Sequence, residues 1–245
     1  MRRARTPPST VANGAGYSSA SGTAARSMML NFATWQSYAP SGARAGRRTG
    51  DRRSVRRMDE SDPRFRVAAS RRILARAGCD SGVAGHVSVR AADGDTFDVS
   101  AFGFFDETTP EQVVTADLDG RVVAGDWPAS PAIKFHAAFY RARPDVHSVI
   151  HTHSHWVSTF VTRDRAIGMY NVASVLFHDE QVLHADDGSK PPVPGDEMAA
   201  KLGDKSVILI KNHGAIVVSD SLEKATIMAL TLEQAARYHL EAEEV

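Results

Sequence analysis

Two histidines separated by a single residue, in Ile150-His151-Thr152-His153, are the clearest pointer to chemistry in this chain. On a strand, residues two apart face the same way, about 6.5 to 7 Å apart, so the two imidazoles form the jaws of a metal clamp. A divalent ion of borderline softness needs at least one further ligand. Catalytic sites combine a close pair with a remote third ligand and leave one position open. His213 is the best candidate for that third ligand, because Asn212-His213-Gly214 is a tight turn between two apolar strands where glycine permits close backbone approach. His178 and Glu180, in Phe177-His178-Asp179-Glu180, read either as a local acid–base cluster or as a charged loop. His136 lies beside the apolar stripe of a helix, as a hydrogen-bonded core residue or a ligand. His147 and His155 flank the clamp, and His184 and His239 show no evident partner.

The elements that must position these residues follow from period and punctuation. Asp62-Pro63, with Phe65, Val67, Ala68, Ile73 and Leu74 and a closing Gly78, predicts a helix. Val87 and Val89, the turn Asp93-Gly94 and Thr96 to Val99 predict a hairpin, and a second one folds about Asp119-Gly120. Ser130-Pro131 opens a helix carrying Ala132, Phe135, Ala138 and Phe139; Ser148 to Ser154 is a buried strand; Ser154 can cap a helix with Trp156, Phe160 and Val161. Asp196 to Leu202 is a short segment before a hairpin of Val207 to Ile210 and Ala215 to Val218. A capping box at Asp220 and Glu223 opens a long last helix with Ala225, Met228, Leu232, Ala235, Ala236 and His239 on one stripe. The sum is an α+β fold, a mainly antiparallel sheet covered by helices.

Composition narrows the class. The 245 residues are 42% apolar and 24% charged with a formal charge of zero, and the apolar runs, such as Val207 to Ile210, are far too short to span a membrane. A soluble, cytoplasmic protein without a membrane partner is expected. The single cysteine, Cys79, excludes an internal disulfide framework. The zero charge hides an asymmetry: residues 1–57 carry eleven Arg and one acid, a net of +10, and residues 58–245 carry a net of −10. Residues 1–57 have no apolar period and read as a disordered extension rich in Arg, Ser, Ala and Gly. Three accounts of this extension stand: a non-essential addition, an organelle-targeting segment, or a nucleic-acid patch. Without aromatic interleaving, no nucleic-acid partner is assigned. Residues 58–245 form the folded domain.

Several ordered motifs together resemble the class II aldolase/adducin family over about residues 65 to 240. They are Gly85-His86-Val87-Ser88-Val89-Arg90, Ser100-Ala101-Phe102-Gly103, Phe135-His136-Ala137-Ala138, Val149 to Ser154 and Lys211-Asn212-His213-Gly214. The resemblance implies a three-layer α/β/α domain, a homo-oligomer, often a tetramer, and a divalent metal on His151, His153 and His213. Zinc is the expected ion; Fe, Mn and Co also fit. It implies a small-molecule substrate met by Gly85, Ser88, Ser100, Gly103 and Ser130, and a metal acting as Lewis acid to stabilise an enediolate. One departure matters: the family's aldolases carry a general acid/base Glu four residues before the helix histidine, and this chain has Ala132 there. An alanine moves no proton. His86, which replaces the family's Asn, and His178 or Glu180 are then the candidate catalytic bases. Decarboxylation is harmed less by the change than retro-aldol cleavage, since its proton can come from water. The resulting expectation is a metal-dependent carbon–carbon lyase, of aldolase or decarboxylase type, acting on a small hydroxy or keto carbonyl substrate. The alternatives are a three-histidine Fe(II) oxygenase of the same fold and a non-catalytic adducin-like interaction module. Adducin-type domains lose the metal ligands, and this chain keeps them.

Truncation at Met58 is expected to leave oligomeric state and metal content unchanged, because residues 1–57 lack an apolar pattern with which to dock. Size-exclusion chromatography and metal analysis of the truncated protein check this; a change of assembly would show that the extension packs on the domain.

Overall fold

The computed structural model describes residues 59–80, 82–130, 132–185 and 195–244. The chain divides into two units, Met1–Thr49 and Gly50–Val245, and every described residue belongs to the second. The expectation for residues 1–57 lies outside the described residues, as does the Pro131 of the expected helix start.

Helix α1 (Pro63–Arg76) starts as its sequence predicts, with Asp62 accepting the amide of Arg64 and proline in the first turn. Its inward face is less apolar than expected. Ile73 is 49% exposed, and Arg71, 1% exposed, is buried beside Val67, Ala68 and Leu74. The Arg71 guanidinium donates to the carbonyls of Ala101 (2.9 Å) and Gly103 (2.7 Å) and lies 4.1 Å from the centroid of Phe105. Those acceptors are what allow a cation inside.

Strands β1 (His86–Arg90), β2 (Thr96–Ser100), β3 (Val113–Asp117) and β4 (Val122–Ala124) form an antiparallel meander. Then come α2 (Ile133–Ala142), β5 (Ser148–Thr152), α3 (His155–Phe160), β6 (Gln181–His184), α4 (Gly195–Leu202), β7 (Val207–Ile210), β8 (Gly214–Ser219) and α5 (Leu222–Ala242). All eight strands join one sheet in the order β4-β3-β2-β1-β5-β8-β7-β6, antiparallel except for β6 against β7. Strand β6 was not expected, because its partly buried Gln-Val-Leu-His lacks the apolar density of a central strand; it is an edge strand. Alternation along the strands divides the core. One side packs Val87, Val89, Ile150, Leu209 and Val217 under α1, α3 and α5; the other packs Val99, Val149, Ile208 and Ile216 under α2 and α4. The fold is the expected α/β/α sandwich, with a mainly antiparallel sheet between two helical layers. Among the described residues no helix is long and apolar enough to cross a membrane.

Two helix starts differ from expectation. α2 begins at Ile133 with Ala132 as its N-cap, and Ser130 serves it from two residues further out, its Oγ accepting the amide of Ala132 at 3.3 Å and its carbonyl that of Ile133 at 3.1 Å. At α5 the capping box does not form. Ser221 is the N-cap, Asp220 turns to Lys224, and Glu223 accepts from Arg66 of α1 at two nitrogens, Nε to Oε1 at 3.0 Å and Nη2 to Oε2 at 2.8 Å. A guanidinium fork outcompetes a backbone amide for a carboxylate.

The layer under α2 buries imidazoles as well as hydrocarbon. His136 is fully buried with Nδ1 2.7 Å from Ser88 Oγ, which also bonds the Tyr140 hydroxyl at 2.6 Å. Burial pushes the His136 imidazole down to about 3, and burial with neighbouring His136 and Arg71 holds His86 well below the ordinary range. Both are neutral in the folded state. Between about pH 6.5 and pH 3 the unfolded chain binds protons that these groups refuse when folded, so stability falls as pH falls. Each such imidazole removes about 1.4 kcal/mol per pH unit in that window. The urea midpoint of the metal-free protein is expected to drop steadily from pH 7 to pH 4.5; a flat profile would contradict the burial.

Candidate metal centre

Alternation on β5 places His151 on the α2 side of the sheet, directly opposite His86 of β1 and between Ile216 of β8 and that neighbour. Its Nδ1 lies 2.9 Å from the carbonyl of Ala215. Donation to that oxygen fixes the tautomer and turns Nε2 outward as a lone-pair donor. His153 Nε2 stands 2.8 Å from His151 Nε2. His213 closes the group, its ring centroid 4.5 Å from that of His153 and 5.2 Å from that of His151. Ligand atoms of all three lie within 4.8 Å of one another. Three nitrogens at about 2.0 to 2.1 Å from a tetrahedral ion are separated by roughly 3.3 Å, so small side-chain adjustments seat a zinc-sized cation.

Electrostatics favour the ligand form. Burial and the neighbouring His153 and His213 hold His151 well below the ordinary imidazole range, and burial with His213 lowers His153 to about 4. Neutral imidazole is what a metal requires. The turn that presents His213 is itself anchored: Asn212 adopts φ +57°, its amide reaches the carbonyl of Val161 at 3.1 Å, and Ser158 Oγ donates to the His213 carbonyl at 3.2 Å. A side-chain carbon on Gly214 would stand 2.2 Å from the Thr152 carbonyl oxygen and 2.9 Å from Cδ2 of His153. Glycine is required there.

The other expected site residues divide. His86 is beside the cluster, its ring stacked 5.6 Å from His151, edge-on 5.5 Å from His136 and tilted 5.6 Å from Phe135, with Nδ1 buried and unpaired among the described residues. Gly85 precedes it in a left-handed conformation, φ +90°. Gly103 has open space at its Cα, and Ser130 is buried at the start of α2. Two expectations need correction. Ser88, fully buried, is consumed by His136 and Tyr140, and Ser100, equally buried, accepts the amide of Val87 at 3.2 Å; both belong to the core and not to a substrate surface. His178 and Glu180 do not join the histidines. They precede β6, whose parallel pairing with β7 puts Gln181 beside Val207 and His184 beside Ile210, so His213 lies past the other end of the strand, roughly 10 Å or more away. His178 is exposed beside Asp179, and Glu180 accepts from Ser206 Oγ at 2.8 Å. Sequence reasoning also missed Arg71 and Glu233, both charged and both at positions the helical apolar period assigns to the core. That mismatch was the available signal.

Comparison with known proteins agrees with this geometry. The family described as Class II Aldolase and Adducin N-terminal domain matches residues 65–240. Adducin-related protein 1 of Caenorhabditis elegans is 33% identical over 159 residues, which are 60% of this chain and 21% of that protein, so this chain corresponds to a small part of it. The 3-oxo-tetronate 4-phosphate decarboxylase of Escherichia coli O6:H1 is 30% identical over 169 residues, 65% of this chain and 77% of that one. The solved structure of L-fuculose 1-phosphate aldolase from Glaciozyma antarctica PI12 superposes with a TM-score of 0.68 at 26% identity, covering 74% of this chain and 73% of the other. With the motifs, the three-layer fold and the histidine cluster in agreement, the chain belongs to the class II aldolase and adducin N-terminal domain family.

Proposed function

We propose that the protein is a divalent-metal-dependent carbon–carbon lyase, of aldolase or decarboxylase type, acting on a small hydroxy or keto carbonyl substrate. The observation that carries this reading is the convergence of His151, His153 and His213, drawn from one strand end and one turn, with ligand atoms within 4.8 Å of one another. Aldolases and a decarboxylase among the relatives support the reaction class. A divalent ion held by these imidazoles, zinc in this reading, would act as a Lewis acid towards a substrate carbonyl. The protein's own residues hold and shield that position: Ala215 orients His151, and Phe135, its ring 5.4 Å from that of His151, excludes water from one side.

Proton handling cannot fall to the position of the family's Glu. Ala132 stands at the N-cap of α2, partly buried against the apolar cluster, and offers nothing. His86, neutral and next to His151, is the titratable side chain best placed to orient a substrate oxygen. Decarboxylation asks least of such a site. A homotetramer is part of the proposal; the exposed Met169, Tyr170, Val172, Val175 and Leu176 form an apolar surface suited to a subunit contact.

Metal analysis of the purified full-length protein is expected to find about one divalent ion per chain. His153→Ala should lose it while the far-ultraviolet circular dichroism stays unchanged, since a catalytic metal contributes less to folding than a structural one. Turnover of hydroxy or keto acids should vanish with chelator. No ion bound after reconstitution, or lyase turnover indifferent to chelator, would refute the proposal, and dioxygen consumption would redirect it to an oxygenase.

A further inference from the structure

The segment that follows His153 is held by a residue from the far end of the chain. Glu233 of α5 is 7% exposed and accepts three hydrogen bonds: from Ser154 Oγ at 2.6 Å, the Trp156 amide at 2.8 Å and the Val157 amide at 2.9 Å. The two amides belong to the first turn of α3, whose own N-cap, Ser154, makes no side-chain capping bond. The unsatisfied amides of a helix start need an acceptor, and a carboxylate is the strongest one available. α3 then reaches across to the third ligand, because Ser158 Oγ bonds the His213 carbonyl and the Val161 carbonyl, just past the helix, takes the Asn212 amide. One carboxylate thus fixes α3, and α3 ties the chain leaving His153 to the turn carrying His213.

We infer that Glu233 is the positioning residue of the metal centre, setting the separation of His153 from His213 through α3 without touching the metal. This rests on the metal reading above. A carboxylate retained for packing alone would be replaceable without effect on metal affinity, since buried ionic groups add little stability beyond a well-packed apolar substitute. A positioning role instead couples its loss to the ligand geometry. Residues behind metal ligands typically change affinity by about 10- to 100-fold.

The test titrates metal-free, full-length wild type, Glu233→Gln, Glu233→Ala and Ser154→Ala with Co(II), following the visible absorption of the bound ion, at a temperature where circular dichroism shows each variant folded. An amide cannot accept from both helix amides through two anionic oxygens, so Glu233→Gln should bind about 10-fold more weakly, Glu233→Ala up to about 100-fold, and Ser154→Ala less weakly than either. The absorption should lose intensity as the third nitrogen is displaced. If Glu233→Ala does not fold, the other two variants decide. Wild-type affinity and spectrum in both Glu233→Gln and Ser154→Ala would overturn the inference, even with a lowered melting temperature. A wild-type protein that takes up no Co(II) would overturn the metal reading itself, and this one with it.

Discussion

Strand β5 and the turn between β7 and β8 meet backbone to backbone, with no room for a side chain at Gly214. That contact brings the third histidine to the other two. It also sets the register in which Thr152 faces Ala215, and so delivers the Ala215 carbonyl to His151 Nδ1. A single methyl group at position 214 would push the turn away from Thr152 and His153 together, and three ligands from two separate segments would become two. The antiparallel sheet is therefore more than a scaffold: its hydrogen-bond register determines which imidazoles share a face and which tautomer they adopt.

Neutrality is the second condition. Among the described residues the three histidines are grouped without a carboxylate, and burial keeps His151 and His153 unprotonated at physiological pH. A ligand set with no negative charge leaves the full charge of a bound divalent ion available to polarise a substrate oxygen. The buried carboxylate of Glu233 is spent on the start of α3. Charge is thus used to fix the backbone, and neutral nitrogen is kept for the site. Arg71 follows the same division: its two terminal guanidinium nitrogens donate to the carbonyls of Ala101 and Gly103, holding the turn beside β2 in place.

The parts of the fold governed by local rules were legible. Asp62 and Pro63 start α1, the Asp-Gly turns join β1 to β2 and β3 to β4, and the stripe from Ala225 to His239 is buried as its period predicts. The histidine pair followed from strand alternation, and His213 from a glycine turn whose purpose is steric. Three failures share one cause, competition for a partner distant in sequence. Glu223 left its capping box for Arg66, Ser154 gave its hydroxyl to Glu233, and Ser88 gave its own to His136 and Tyr140. Neither partner in such a pair is visible from its neighbours. His178 and Glu180 misled for another reason: proximity in sequence to a strand says nothing about which of its ends faces the chemistry, and the parallel pairing of β6 with β7 places them at the wrong one.

On the proposed reading, the histidine cluster and the group that meets the substrate are constrained unequally. The histidine cluster is tied to the backbone around it, through the Ala215 carbonyl on His151, the close approach of Gly214 to Thr152 and His153, and Ser158 on the His213 carbonyl. The family's acid/base position, Ala132, lies at a helix start, where a side chain is held by little besides its own capping bonds and substitution leaves the fold intact. A protein of this architecture can therefore exchange its proton donor without dismantling the histidine cluster. Ala132 in place of a glutamate falls at the helix start, whereas His86 in place of an asparagine falls on a buried central strand. His86 lies on β1 opposite His151, so its imidazole gains a fixed orientation that a residue at the helix start would lack. Moving the polar group from a helix end to a strand exchanges reach for rigidity. That exchange favours a reaction in which the group orients a substrate oxygen over one that requires it to follow a proton across the substrate.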